Sequence, residues 1–225
     1  RTAAMASSRL TKEMVGDSKK LLTLMGIPWV QAPQEGEAQA AFMCTQGDVW
    51  ASASQDYDSV LLGTPKLIRN LTLTGRRKLP GRADYTEVVP ELIELEKILA
   101  ELGVSREQLI WMGLLVGTDF NDGVKGIGPK KALKLVKECK SLGEVVEKSK
   151  GVFEVEPSEV EALFLNPKTT SDYSLDFKPP DMNALISHLV EQHDFSKERV
   201  ETAAKAFTEA MSETAQQSNL GEWFG

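Results

Sequence analysis

The sequence predicts an α/β fold: a parallel-type central sheet flanked by helices, followed by an all-helical half. Three observations predict it. Strand-like and helix-like segments alternate through about the first 75 residues, the pattern of a parallel sheet with crossover helices. From Asp119 onward the strand signal disappears and one helical pattern follows another. Apolar residues make up 41% of the 225, enough for a core and too many for a disordered chain.

The elements follow in order. Ser8 to Met25 reads as a helix, with Leu10, Met14, Leu21, Leu24 and Met25 as its apolar stripe and Gly26 as its stop. A short extended run is closed by Pro33, and Glu35 to Gln46 is helical up to Gly47. Residues 49–54 (VWASAS) have β character between Asp48 and Asp56. Residues 67–79 read as a strand with a hairpin around Gly75, and Val88 to Leu102 as a patterned helix. Ser105 and Gln108 form a capping box that opens a helix running to about Val116. A Gly-rich turn precedes a helix with Pro129 at its first position. Further helices are expected at about 141–148, 157–165, 181–193 and 196–213. These divide the chain into an α/β part (1–118), a helical part (119–213) and a tail (214–225).

Composition excludes several classes. No apolar stretch reaches the roughly 18 residues of a membrane span, so no membrane partner is expected. The two cysteines, Cys44 and Cys139, cannot make a disulfide framework or a four-ligand zinc site, which favours a reduced, intracellular setting. Two histidines, His188 and His193, leave no material for a His-rich metal site. The net charge of -7 argues mildly against nucleic-acid binding.

Acidic pairs are the first candidate site. Composition alone yields roughly five acid-x-acid pairs in a chain like this, and five are present, so spacing says nothing. Context separates them. Glu94/Glu96 lies on a solvated helix face, and Glu154/Glu156 and Glu159/Glu161 flank Pro157 at a helix start, where acids suit the dipole. Glu35/Glu37 straddles Gly36 at a strand-to-helix junction, and Asp56/Asp58 sits where an apolar strand ends. Ligands of open α/β sheets bind beyond the carboxyl ends of the strands. Carboxylates gathered there without basic partners repel each other unless a cation neutralises them, and oxygen-only ligands suit Mg²⁺ or Mn²⁺. The bland alternative is helix capping beside a polar turn. A fifth acid, Asp119, follows a helix that is apolar to its end.

The second candidate is VKGIGPKKA. Gly126 and Gly128 let the backbone approach a phosphate, and the amides that open the next helix donate to anions. Lys130, Lys134 and Lys137 share one helix face, with Lys125 and Lys131 beside them. This is a hairpin suited to gripping one DNA strand by its backbone, reading no sequence; a merely solvated lysine face is the alternative. The tail holds Gln217, Leu220, Trp223 and Phe224 as Q-x-x-L-x-x-W-F, and its leucine and two aromatics are fit to plug a pocket on a partner. The tail is expected to be mobile until bound.

In order along the chain, MGIPWVQAPQEGEAQAA, SQDYDS, RNLT, RRKLP, LLVGTDFN and KGIGPKKAL, with that terminal box, resemble the flap endonuclease family, its archaeal branch in particular. The resemblance covers nearly the whole chain. It implies a structure-specific 5′ nuclease that cuts 5′ flaps at junctions with duplex DNA, with 5′-3′ exonuclease activity, in replication and repair. It makes Glu35, Glu37, Asp56, Asp58 and Asp119 metal ligands, direct or through water, for two Mg²⁺ ions (Mn²⁺ can substitute) about 3.5–4 Å apart. It makes Lys125, Gly126, Gly128, Lys130, Lys131 and Lys134 duplex contacts, and the carbonyls of Gly123, Val124 and Ile127 holders of a K⁺ ion. Gln217, Leu220, Trp223 and Phe224 match the box that docks on a ring-shaped sliding clamp of the PCNA type.

Family members begin with roughly a hundred further residues, a segment of ordinary domain size. Those carry two more metal-binding aspartates, further strands and a helical arch whose end Arg1–Ser8 resembles. A missing N-terminal part of the same protein is therefore an expected partner, and the sheet is expected to be incomplete without it. The setting would be the cytoplasm or nucleoid in an archaeon and the nucleus in a eukaryote. The rival readings are a relative that repairs bubbles or gapped duplexes, and a non-catalytic junction- and clamp-binding adaptor. A small-molecule α/β enzyme is disfavoured by the absence of G-x-G-x-x-G and of the P-loop motif.

Overall fold

The computed structural model describes residues 10–72, 75–78 and 85–221. In chain order the elements are α1 (Lys12–Leu24), α2 (Gly36–Gln46), β1 (Ser52–Ala53), α3 (Asp58–Leu61), β2 (Lys66–Arg69), β3 (Gly75–Lys78), β4 (Tyr85–Val88), β5 (Glu91–Glu94), α4 (Leu95–Leu102), α5 (Arg106–Val116), α6 (Pro129–Lys137), α7 (Leu142–Ser149), α8 (Pro157–Leu165), α9 (Met182–Ile186), a π-helical turn (Ser187–Glu191) and α10 (Lys197–Gly221). They form two compact units, one of Gln31–Ser171 and one of Arg1–Val30 with Asp172–Gly225.

The unit Gln31–Ser171 holds the small sheet, in the order β1-β2-β5. β1 runs parallel to β2, with Ser52 opposite Leu67; β5 runs antiparallel to β2, with Ile93 opposite Leu67. The fold is thus mixed α/β with one parallel pair. Leu67 is fully buried and packs with Val60, Leu95, Ile93, Ile98, Leu99 and Leu109.

Two sequence expectations give way here. Val88 to Leu102 was expected to be one helix, but only its second half is. Glu91–Glu94 extends along the free edge of β2, and helix α4 starts at Leu95. The four ladder positions offered by β2 outweigh the helical pattern, as tertiary pairing overrides propensity. The hairpin expected around Gly75 is also displaced: Gly75 pairs with Val88 and Lys78 with Tyr85, so the reversal falls after Lys78, outside the described residues.

The main core of this unit is helical. Ile110, Trp111, Leu114 and Leu115 form one buried face of α5 and meet Ala132 and Val136 of α6, Val145 of α7, and Val160 and Phe164 of α8. The capping box is present: Gln108 N donates to Ser105 Oγ at 3.2 Å and Ser105 N to Gln108 Oε1 at 3.0 Å. Arg106, next in the chain, sends its half-buried guanidinium to the carbonyls of Leu61 (3.2 Å) and Phe164 (2.7 Å), tying α3 and α8 to the start of α5. Pro129 occupies the first turn of α6, as expected.

In the other unit, Thr11 caps α1 by accepting from Met14 N at 3.2 Å. Helix α1 ends at Leu24 with Met25 as its cap, and the next residue, Gly26, has a φ of +72 that suits glycine; a Cβ there would lie 1.8 Å from the Lys178 carbonyl oxygen. Leu185, Val200 and Ala204 are buried beside α1. The helix expected over 181–193 is α9 followed by the π-helical turn. Helix α10 continues through the start of the expected tail to Gly221, while Trp223 and Phe224 lie outside the described residues. No helix is long and apolar enough to cross a membrane among the described residues.

Candidate metal centre and nucleic-acid interface

The acidic site is built at the carboxyl end of β1. Beyond Ala53 the chain turns through residues 54–57 into α3, and serine and aspartate side chains shape that turn. Ser54 Oγ donates to Glu37 Oε1 at 3.3 Å and accepts from Asp56 N at 3.1 Å. Asp56 Oδ1 accepts from Asp58 N at 2.9 Å. Arg69 of β2 fixes the turn from the side: it donates to the Gln55 carbonyl at 3.2 Å, stacks 3.9 Å from the Tyr57 ring, hydrogen-bonds the Tyr57 hydroxyl, and pairs with Glu91 at 3.5 Å.

Asp119 arrives from a loop after α5. Thr118 and Asn121 exchange backbone hydrogen bonds at 2.9 and 3.2 Å, and Asn121 Nδ2 donates to the Leu114 carbonyl at 2.8 Å. This compact loop points Asp119 at α3, where its N–H donates to Asp58 Oδ2 at 3.5 Å. Carboxylate oxygens of Asp56, Asp58 and Asp119 all lie within 4.8 Å of one another.

Burial pushes the half-buried Asp58 carboxyl above its ordinary 3.8; the Asp119 N–H pulls it down, and the charges of Asp56, Asp119 and Glu37 push it up again. No lysine or arginine is ion-paired to these acids among the described residues. Clustered, uncompensated oxygen donors fit hard divalent cations of the Mg²⁺ or Mn²⁺ kind.

The five expected ligands are therefore not equivalent. Asp56, Asp58 and Asp119 come together, and Glu37 adjoins them from the first turn of α2 through Ser54. Glu35 sits at the N-cap of α2, exposed and without a capping hydrogen bond. Sequence reasoning missed Ser54 and Arg69. Ser54, two residues before Asp56, carried the signal of a serine-stabilised turn; the contacts of Arg69 with Gln55 and Tyr57 carried none.

The Gly-rich hairpin is a second feature of the same unit. Gly123 (φ +75) and Gly126 (φ +85) are both left-handed. Val124 N donates to the Leu115 carbonyl at 2.8 Å, and the Val124 carbonyl accepts from Ile127 N at 3.0 Å. Of the three carbonyls expected at a K⁺ ion, that of Val124 is thus already engaged. Gly128 is the N-cap of α6, with no side chain to cap the helix amides. Lys125, Lys130, Lys131 and Lys134 are exposed, opposite the buried Ala132 and Val136. Lys131 Nζ donates to the Gly126 carbonyl at 2.9 Å and so braces the turn.

Residues 26–119, which include all five acids, match the family model described as the XPG I-region. The chain is 54% identical over 228 residues to Flap endonuclease 1 of Staphylothermus marinus, covering 100% of this chain and 65% of that protein. It is 53% identical over 227 residues to Flap endonuclease 1 of Hyperthermus butylicus, covering 99% and 65%. Among solved structures it is similar to flap endonuclease-1 from Methanococcus jannaschii, with a TM-score of 0.78, 41% identity, and coverage of 94% of this chain and 63% of that one. Over its full length the chain is thus similar to archaeal flap endonucleases, and its residues 26–119 carry the XPG I-region. It spans 65% of the length of those two curated relatives.

Proposed function

We propose that this chain carries the metal-holding and duplex-gripping parts of a structure-specific 5′ nuclease, which hydrolyses phosphodiesters where a single-stranded 5′ flap meets duplex DNA. The observation that carries the reading is the convergence of Asp56, Asp58 and Asp119 within 4.8 Å, from segments far apart in sequence. When bound, two divalent cations would supply the Lewis acidity that activates water and stabilises the leaving oxygen. The chain's own carboxylates act as holders rather than proton carriers. Ser54 and Arg69 keep Asp56 and Asp58 aimed at one point. The amides at the start of α6, with Lys130 and Lys134, hold the duplex backbone beside it.

Residues 1–118 act as the C-terminal part of the catalytic core and 119–213 as the DNA-binding part. The segment 214–225, with Gln217, Leu220, Trp223 and Phe224, would dock on a sliding clamp. 5′-3′ exonuclease activity and a role in replication and repair belong to the same proposal.

The test uses Asp58→Asn and Asp119→Asn in this chain joined to the N-terminal segment of a family member. Both variants should bind a flap substrate like the parent and lose Mg²⁺-dependent cleavage. Cleavage at the parental rate by either one would overturn the assignment.

A further inference from the structure

The chain's two histidines converge with one aspartate in the unit formed by Arg1–Val30 and Asp172–Gly225. Ligand atoms of Asp17 on α1, His188 in the π-helical turn and His193 just beyond it lie within 4.8 Å of one another. In an α-helix, residues five apart point about 140° away from each other. The wider turn at Ser187–Glu191 removes that separation, and Asp194 (φ +56) then reverses the chain so that Phe195 N reaches the Leu189 carbonyl at 2.9 Å. The two rings meet edge to face with centroids 4.7 Å apart.

Three further observations point to a bound ion. His188 is 3% exposed, and its Nδ1 lies 3.1 Å from Gln192 Oε1. Donation of the Nδ1–H to that oxygen leaves Nε2 as a lone pair, the usual arrangement behind a metal-bound imidazole. The Asp17 carboxylate, half-buried, has no hydrogen-bond or ion-pair partner among the described residues. His193 lines an apolar cavity of about 610 Å³ together with Leu21, Met25 and Phe207, which lowers the local dielectric on one side.

We propose that Asp17, His188 and His193 form a transition-metal site, of Zn²⁺ type, chemically separate from the oxygen-only cluster. Two imidazole nitrogens and one carboxylate oxygen suit a tetrahedral ion whose fourth ligand is water. The ion ties α1 to the turn before α10 and keeps its water-bearing fourth position open. The nearby Lys20, which donates to Gln192 Oε1 at 3.3 Å, polarises that outer-shell oxygen rather than competing for the ion.

The test titrates Co²⁺, then Zn²⁺, into the metal-stripped 225-residue chain in excess Mg²⁺, which occupies oxygen-only sites. The expected result is one equivalent of Co²⁺ with the strong ligand-field absorption of a tetrahedral ion, displaced by Zn²⁺, and a rise in Tm with Zn²⁺. His193→Ala, an exposed position that should fold normally, and Asp17→Asn should each weaken binding roughly tenfold or more and remove the Tm rise. Binding unchanged in His193→Ala, or no tetrahedral Co²⁺ signal in the parent, would overturn the proposal.

Discussion

Replacing Gly123 by alanine should damage both the fold and the acidic site. Gly123 has φ +75, and a Cβ there would lie 2.5 Å from the carbonyl carbon and oxygen of Val116 and 2.6 Å from Gly117 N. A left-handed alanine costs about 1–2 kcal/mol. Forcing a methyl into backbone adds about 1–3 kcal/mol, since no flexible side chain is there to yield. Gly126→Ala is the matched control: φ is +85, but a Cβ there meets nothing within 4 Å, leaving only the conformational cost of about 1–2 kcal/mol. Urea unfolding followed by circular dichroism should place Gly123→Ala about 1–3 kcal/mol below Gly126→Ala, with equal m-values. The strain at position 123 relaxes through Val116 and Gly117, two residues before Asp119. Mn²⁺ affinity at the acidic cluster should therefore fall in Gly123→Ala and hold in Gly126→Ala. Equal stabilities for the two variants would refute the packing argument.

Three further outcomes follow from the same geometry. The folded-state pKa of Asp58 is raised above 3.8, so its contribution to stability is most favourable at low pH and is lost as pH rises from 3.8 through the folded value. In denaturant titrations without divalent metal, Asp58→Asn should gain on the parent over that window, and Mg²⁺ should close the gap; a difference independent of pH would contradict this. Arg69→Ala removes the bonds to the Gln55 carbonyl, the Tyr57 contact and the Glu91 pair, and should cost about 1–3 kcal/mol while weakening Mn²⁺ binding; Arg69→Lys, which lacks the fork, should rescue neither fully. Lys130→Ala and Lys134→Ala should weaken duplex binding equally for all sequences and each lower the slope of log K against log salt by about 1; a sequence-dependent loss would argue against backbone contacts.

What could be read in the sequence was what is local. The Ser105–Gln108 box, Pro129 at the start of α6, the apolar helix α5 and the amphipathic α6 follow from neighbouring residues, and the structure shows each of them. Strand β5 could not be read this way, because Glu91–Glu94 becomes a strand only through β2, more than twenty residues earlier. The acidic site divides along the same line. Asp56 and Asp58 were visible as a pair at a strand end, but nothing local links them to Asp119, and their union as ligands rested on family resemblance. Ser54 and Arg69 escaped notice because their role is to hold other residues in place. The histidines show the limit of composition: a count of two excluded only a His-rich metal site, and it is the π-helical turn that brings both to Asp17.

The most direct test of the central claim is cleavage of a 5′-labelled double-flap DNA in Mg²⁺. The chain is assayed alone and with the N-terminal segment of a family member supplied in trans. Cutting at the junction only when both parts and Mg²⁺ are present is the expected result, because the carboxylates here would then form one part of a shared metal site. Intact junction binding with no cutting in any mixture would contradict the nuclease reading and leave a DNA-binding adaptor.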